Sequence, residues 1–288
     1  MKQNIVLNEL QVEEIRKLAE KERQTLGFIG EVPIGEAIFR ALDTLGIILL
    51  EYPIDSEGDR QAFSASLLYS EVDGNELVFL GLNTADYLDK QIFAVAHELY
   101  HYFTKSGSHL SRLNGDGDLI EAMANRFAAE FLLPQSILKS IVLKGFKRSC
   151  LQDIRLKTLL RFIARLQCAW WIPYRSLVRA LREIDAIDSE QYDLLYTIEE
   201  RDSSGEYWKY GEAINGDIFL KLNTVTLDIG TSPENIELII RNFEDDLIDE
   251  HLFVETLNLF RKRPEDFGYF HEIASDDLAE FDEWGNGG

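Results

Sequence analysis

The sequence is poor in cysteine and in basic residues, and it contains no long apolar run. Its two cysteines, Cys150 and Cys168, are too few for a disulfide framework or a cysteine-rich metal site. No stretch of about 18 apolar residues occurs, so we expect no transmembrane helix and no membrane partner. The first residues are too polar for a signal peptide. These absences predict a cytoplasmic protein with free thiols.

The shortage of positive charge narrows the choice of partner. Acidic residues outnumber basic ones by 51 to 29, which gives a formal net charge of −22. This charge argues against nucleic-acid binding by the whole molecule and favours a basic partner or simple solubility. Residues 147–182 are the exception, with nine basic residues and one acid, and only there is direct nucleic-acid contact an alternative. The plainer interpretation of such a run is a solvated face.

The chain does contain a metal-binding pattern, His97-Glu98-Leu99-Tyr100-His101, which uses two of its five histidines. Histidines four residues apart lie one turn apart on the same helix face, so both imidazoles can reach one metal ion. Glu98 lies beside them and can accept a proton from a water molecule. Apolar residues on both sides of the motif predict a buried helix. The alternative is a surface histidine pair on an amphipathic helix.

A catalytic zinc site needs a third protein ligand and one open position. The downstream candidates are Asp116, Asp118, Glu121, Glu130 and His109. Residues 119–133 are predicted to form one helix, which Pro134 ends. Glu121 lies on the face of that helix that carries small alanines, so this face can approach a neighbouring helix closely. We therefore predict Glu121 as the third ligand.

The other candidates have simpler interpretations. Glu130 lies near Arg126, on a more polar side of the helix, where a solvated ion pair is expected. Asn125, one turn after Glu121, is predicted to orient a ligand. Three further residues are candidates for stabilising an oxyanion in a reaction at the site. They are Tyr100, Tyr102 and His109, of which the last is otherwise a solvated loop histidine.

Two segments together resemble the ImmA/IrrE family of metallopeptidases. The first is Phe93-Ala-Val-Ala-His97-Glu-Leu-Tyr-His101, and the second is Glu121-Ala-Met-Ala-Asn125-Arg-Phe-Ala-Ala-Glu-Phe-Leu-Leu-Pro134. The resemblance implies that His97, His101 and Glu121 bind one zinc ion per chain and that Glu98 is the general base. It includes the preceding strand, residues 76–83, and extends more faintly to about residue 195. Tyr100 replaces a usual glycine and Met123 a usual glutamate.

The rest of the pattern indicates an α+β fold. Residues 8–46 are predicted to be helical with a break at 27–33, and strands are predicted at 46–52, 63–69 and 76–82. Asp73-Gly74 is the predicted hairpin turn, and Gly107 the predicted stop of the metal-binding helix. By analogy with zinc peptidases, residues 76–82 are expected to form the strand along which a substrate pairs.

Three regions are predicted along the chain. Residues 1–145 form a zincin-like metallopeptidase domain, with helices and a small antiparallel-edged sheet. Residues 146–200 form a basic helical extension, in which 159–184 has the pattern of a helix-turn-helix. Residues 201–288 form a smaller α+β region, with a hairpin at Asn215-Gly216, one helix from Ser232 to about Lys262 and an acidic tail. No role is assigned to His251 or His271.

The functional hypothesis is a zinc-dependent endopeptidase. The family resemblance implies a protein substrate, a DNA-binding repressor of the helix-turn-helix type, in transcription regulation within a mobile element or a stress response. A repressor is usually basic, so an acidic protease would attract it. The alternative is a non-proteolytic regulatory protein, a sensor or antitoxin-like partner, in which the zinc domain is a scaffold. A fourth protein ligand would favour that alternative.

Overall fold

The structure is a computed structural model, and it describes residues 6–54, 63–72, 74–106 and 117–269. Contacts along the chain define two compact units, one up to Ile229 and one from Gly230. Helices dominate, and three strands form one small sheet. The predicted α+β class is therefore confirmed.

The sheet consists of β1 (Ile47–Tyr52), β2 (Ala65–Val72) and β3 (Asn75–Asn83), close to the predicted strands. Alternate residues of these strands are apolar and buried, so one face of the sheet packs into the core. The chain turns from β2 to β3 at Gly74, whose φ of 78° suits glycine. Asp73, the other residue of the predicted turn, lies outside the described residues.

The strand order is β1-β3-β2, so β3 is the central strand. It pairs in parallel with β1 and antiparallel with β2. The prediction that residues 76–82 receive a substrate strand is therefore wrong, because both edges of β3 are already paired. The antiparallel edge strand is β2.

Four helices accompany the sheet, and two of them, the second and the third, contact it directly. The four are α1 (Glu9–Thr25), α2 (Ala37–Thr44), α3 (Leu88–Thr104) and α4 (Gly117–Leu132). Asn8 caps α1 with its side chain and forms a capping box with Gln11. Helix α3 packs on the sheet and on α4, and α4 also contacts α1. This arrangement brings the histidine-bearing helix and the Glu121-bearing helix side by side.

Five more helices complete the first unit. They are α5 (Gln135–Phe146), α6 (Leu156–Trp170), α7 (Tyr174–Glu183), α8 (Ser189–Tyr196) and α9 (Glu206–Leu222). Helices α6 and α7 are joined by a short turn at 171–173, where the helix-turn-helix pattern places it, and α6 packs mainly on α9. The domain boundaries predicted at residues 145 and 200 stay predictions.

The predicted hairpin around Asn215-Gly216 is wrong, because residues 206–222 form α9. The helix is sharply kinked at Asn215, which has φ −159° and ψ 84°. The Asn215 side chain accepts a hydrogen bond from the amide of Ile218, so it caps the second half of the helix. Phe219 from that half packs directly over Gly211 of the first half. The Asn-Gly pair does bend the chain, but between helical segments.

The second unit is helical in its described part, residues 230–269. It contains α10 (Pro233–Glu244), α11 (Glu250–Leu259) and a short 3-10 helix (Pro264–Phe267). The predicted single helix to Lys262 is wrong, because Asp246 has a positive φ and Asp249 caps a new helix. Apart from single bridge residues at Val225 and Gly230, the described residues after 200 form no β-structure and no strand, so the prediction of an α+β region there is wrong.

The structure bears on the predictions about the two cysteines and about a transmembrane helix. Cys150 is exposed and Cys168 is buried, and both are free thiols. Among the described residues, no helix is both long and apolar enough to cross a membrane. The acidic tail beyond residue 269, including His271, lies outside the described residues.

Candidate metal centre

Helix α3 carries the predicted metal-binding motif at its centre. Its first turn contains Asp89, whose charge suits the positive end of the helix dipole. The helix ends at Thr104, and Lys105 follows it in the left-handed conformation with φ 52°. The helix therefore stops before Gly107, the predicted stop, which lies outside the described residues.

The two histidines of α3 meet Glu121 of α4. The Nε2 atoms of His97 and His101 are 3.3 Å apart. Glu121 places Oε2 3.2 Å from Nε2 of His97 and Oε1 3.7 Å from Nε2 of His101. These three side chains are the group that could hold a metal ion among the described residues. The structure thus brings together the three residues predicted as ligands.

The donor set suits zinc. Two imidazole nitrogens and one carboxylate oxygen are ligands that zinc accepts in catalytic sites. Nitrogens bound to one tetrahedral zinc at 2.0–2.1 Å lie about 3.3 Å apart, close to the separation of the two Nε2 atoms. The histidine side chains are 14% and 8% exposed, whereas that of Glu121 is 58% exposed. The site therefore opens to solvent beside the carboxylate, where a water molecule and a substrate can enter.

Each histidine also has a partner on its other ring nitrogen. Nδ1 of His97 lies 3.2 Å from Oδ1 of Asn125, as the sequence led us to expect of an orienting group. Nδ1 of His101 lies 3.2 Å from the hydroxyl of Ser106. A hydrogen bond from Nδ1–H to such an oxygen leaves Nε2 unprotonated and facing the metal. Ser106 was not predicted, because it lies just beyond the helix and has no periodic relation to the motif.

The pKa values of the histidines follow from their neighbours. Burial lowers the pKa of His97, but hydrogen bonding to Glu121 and the charge of Glu98 outweigh this effect and raise it overall. Burial and the neighbouring His97 lower the pKa of His101. Glu121 thus acts to raise the pKa of both histidines, whereas the charge of His97 acts to lower that of His101.

Glu98 points toward the sheet rather than into solvent. Its Oε2 accepts a hydrogen bond from the backbone amide of Leu67, on edge strand β2, at 3.1 Å. Burial raises the pKa of Glu98 to about 7, although the charge of His97 and this hydrogen bond oppose the rise. A carboxylate with a pKa near neutrality can both accept and return a proton.

Two of the predicted oxyanion groups have other hydrogen-bond partners in the structure. The hydroxyl of Tyr100 donates to Sδ of Met123 at 3.7 Å, and the Tyr100 residue is buried. The hydroxyl of Tyr102 donates to the carbonyl oxygen of Leu45 at 3.0 Å. A role in stabilising an oxyanion stays a prediction for both tyrosines. His109, the third candidate, lies outside the described residues.

The rejected ligand candidates also have places in the structure. Glu130 forms an ion pair with Arg126 at 3.0 Å, as predicted, but both side chains are buried rather than solvated. Helix α7 explains this burial, because its Glu183 also contacts Arg126. Asp118 is exposed at the start of α4, and Asp116 lies outside the described residues.

Comparison with known proteins identifies part of the chain. Residues 59–156, about a third of its length, match the peptidase M78 family model, described as the IrrE N-terminal-like domain. A comparison with curated proteins and one with solved structures each found no match. The matched segment contains the metal-binding motif and Glu121, and the family supports a metallopeptidase-type function. The resemblance to ImmA/IrrE proteins is therefore confirmed over residues 59–156, which are similar to the IrrE N-terminal-like domain.

Proposed function

We propose that this protein is a zinc-dependent endopeptidase that cleaves a basic DNA-binding repressor at a specific site. The observation that carries the proposal is the convergence of His97, His101 and Glu121 next in sequence to Glu98, a half-buried glutamate of raised pKa. His97, His101 and Glu121 would hold the metal. Zinc would supply a Lewis acid that polarises the scissile carbonyl and lowers the pKa of water to about 7.

Glu98 would carry the proton in this reaction. Its Oε2 is held by the Leu67 amide, so the side chain is fixed before a substrate arrives. It would accept a proton from the attacking water and deliver it to the leaving amine. Asn125 and Ser106 would hold the imidazoles in the required orientation.

Edge strand β2 is the place where an extended substrate could pair. Just before β2, the carbonyl of Ser64 accepts a hydrogen bond from the amide of Asn83 in β3. Because backbone groups alternate in direction along a strand, Ser64, Ser66 and Leu68 point theirs toward β3. Residues between them, including Leu67, point their backbone groups to the open edge, beside Glu98. A substrate strand added there would lie next to the general base.

The repressor as substrate is supported by family resemblance and by charge. The net charge of −22 would draw a basic protein toward this molecule before specific contacts form. A mobile element or a stress response is the setting that the resemblance suggests. The substrate is expected to lose its operator binding when it is cut.

Substitution of the motif tests the peptidase proposal. We expect Glu98→Gln to retain one zinc per chain, measured by elemental analysis, and to lose all cleavage of a helix-turn-helix repressor substrate. His97→Ala should lose both zinc and cleavage, because one of three ligands is gone. Lys157→Gln, which changes an exposed ion pair far along the chain, is the control and should retain both. Cleavage by the Glu98→Gln protein would contradict the assigned role of the base.

A further inference from the structure

The start of helix α3 is held by a buried group of polar side chains from much later in the chain. Asp89, in the first turn of α3, is 0% exposed. Nη2 of Arg201 donates to both carboxylate oxygens of Asp89, at 2.7 Å and 3.0 Å. The amide of Gln167, from α6, donates to Asp89 at 2.8 Å. We call Asp89, Arg201 and Gln167 the clamp.

The clamp is supported on its far side as well. The hydroxyl of buried Tyr207, from α9, donates to the amide oxygen of Gln167 at 2.7 Å. Arg201 also donates to Asn223 and stacks over the ring of Tyr87, with 4.1 Å from Cζ to the ring centroid. Burial raises the pKa of Asp89, and Arg201 offsets part of that rise. A charge so enclosed persists only if its partners stay in place.

The chain after α9 then returns along the start of α3. We call residues 224–228 the return segment. The carbonyl of its first residue, Thr224, accepts a hydrogen bond from the amide of Leu88 at 3.1 Å. The amide of Leu227 donates to the carbonyl of Thr84 at 3.0 Å, and the Thr84 hydroxyl donates to the carbonyl of Asp228 at 2.7 Å. Because the first amides of a helix have no partners within it, these bonds fix where α3 begins.

We propose that Asp89 and Arg201 are positioning residues for the metal centre, and that the working peptidase domain extends through the return segment rather than ending at residue 156. The inference rests on the proposed function, since it concerns the same zinc site. The family match ends at residue 156, whereas Gln167 and Arg201, which contact Asp89 from outside α3, lie after it. The segment that follows the match therefore completes the domain.

The geometry explains how the clamp acts at a distance. Asp89 lies eight residues before His97, about 12 Å along the helix axis. The other end of α3 is tied to the sheet side by Glu98 on Leu67 and by Tyr102 on Leu45. A tilt of about 5° about these contacts moves the start of the helix by about 1 Å. It moves the ring nitrogens, about 6 Å from the helix axis, by about 0.5 Å relative to Glu121, which is the limit that a preorganised site tolerates.

The first test measures zinc affinity in the folded full-length protein by competition with a chelating dye. We expect Asp89→Asn to raise the zinc dissociation constant at least tenfold at temperatures where circular dichroism shows a folded protein. Arg201→Lys keeps the charge but loses the second contact with Asn223 and the stacking on Tyr87, and should raise the dissociation constant less. Lys90→Gln breaks an exposed ion pair in the same helical turn and should leave it unchanged. Wild-type affinity in folded Asp89→Asn and Arg201→Lys would overturn the proposal.

A second test needs no variant, so it decides the matter even if both clamp variants fail to fold. If the clamp favours zinc binding, zinc must in turn stabilise the clamp. We expect zinc to slow amide hydrogen exchange at Leu88 and Leu227 in the wild-type protein. Exchange rates there that do not respond to zinc would overturn the proposal. A protein that binds zinc with these effects but cleaves no peptide would contradict the proposed function and leave the clamp intact.

Discussion

At the scale of single residues, the second contact of each histidine decides how well the site is prepared. Asn125 and Ser106 each place an oxygen 3.2 Å from an Nδ1 atom. The amide oxygen of Asn125 can only accept, so it selects the tautomer of His97 with a free Nε2. The hydroxyl of Ser106 can accept from Nδ1 of His101 in the same way. A ligand that needs no rearrangement loses less free energy when the metal binds.

We expect Asn125→Ala to raise the zinc dissociation constant by about 10–100-fold, because His97 loses the group that fixes its ring. Asn125→Asp keeps an acceptor oxygen in the same place and is expected to bind zinc close to the wild type. Titration against a chelating dye measures both. Equal affinities for the alanine variant and the wild type would contradict an orienting role.

Glu98 predicts a pH dependence of stability in the metal-free protein. Its pKa is raised by burial from 4.5 to about 7, so the folded protein holds this proton more tightly than the unfolded chain does. The resulting stabilisation is complete below pH 4.5 and is lost as the pH rises through 7. It amounts to at most about 3 kcal/mol.

The measurement compares the wild type with Glu98→Gln in the presence of a chelator at pH 5 and pH 8. The free energy of unfolding of the variant, relative to the wild type, should be higher at pH 8 than at pH 5, because the amide does not ionise. Titrating groups that do not interact with Glu98 are common to both proteins and cancel, whereas the titration of His97 also changes, because the charge of Glu98 helps to raise its pKa. A difference that is the same at both pH values would show that Glu98 titrates normally.

At the scale of elements, α9 shows that a sequence signal can give the correct position of a bend but the wrong type of structure on either side of it. The Asn-Gly pair does interrupt the chain, and Asn215 caps the segment after it. Whether strands or helices flank such a bend depends on what the flanking residues pack against. Here Tyr207 and Phe219 are buried against each other and α6, which periodicity over eight residues does not reveal.

The kink of α9 predicts an intolerant glycine. A Cβ at Gly211 would lie 2.2 Å from ring atoms of Phe219, which is fully buried and has no room to move. We expect Gly211→Ala to lower the free energy of unfolding by about 1–3 kcal/mol through overpacking. Denaturant titration measures this change.

Gly145 provides the matched control. It also lies in a helix, α5, but a Cβ there meets no atom within 4 Å. Gly145→Ala should therefore raise the free energy of unfolding by about 0.5–1 kcal/mol, as alanine usually does in a helix. Similar losses of stability in both variants would show that the Phe219 contact is not the cause.

The sheet shows another limit of prediction from sequence. Each strand was predicted close to its observed position, because β-branched and apolar runs between turns are a local property. Strand order is not local. Residues 76–82 follow β2 through a tight turn, yet their other edge pairs with β1, and this makes β2 rather than β3 the strand beside Glu98.

At the scale of the whole molecule, the three candidate metal ligands were predictable from the sequence, whereas the contacts that support their helix were not. His97, His101 and Glu121 form recognisable patterns within two helices. The contact of Asp89 with Arg201 spans 112 residues, and nothing in the spacing or composition of the chain connects the two. Buried ion pairs of this kind follow from the final packing of helices rather than from any segment alone.

The net charge predicts how the molecule meets its substrate. We expect kcat/KM for a basic repressor to fall several-fold as the salt concentration rises from about 20 to 300 mM, because screening shortens the reach of the attraction. A neutral peptide that contains the same cleavage site is the control, and its kcat/KM should change little. The same salt dependence for both substrates would point to an effect of salt on the enzyme itself.

The return segment also has a consequence for synthesis on the ribosome. The bond between Thr84 and Asp228 joins residues 144 positions apart. At about 5–20 residues per second, the ribosome needs roughly 7–30 s to make the chain between them. From residue 121 onward the nascent protein contains both histidines and Glu121, but the amide of Leu88 at the start of α3 does not yet have the carbonyl of Thr224 to bind. We expect an interrupted translation product to be proteolytically silent, which would protect the cell from fragments that cut indiscriminately.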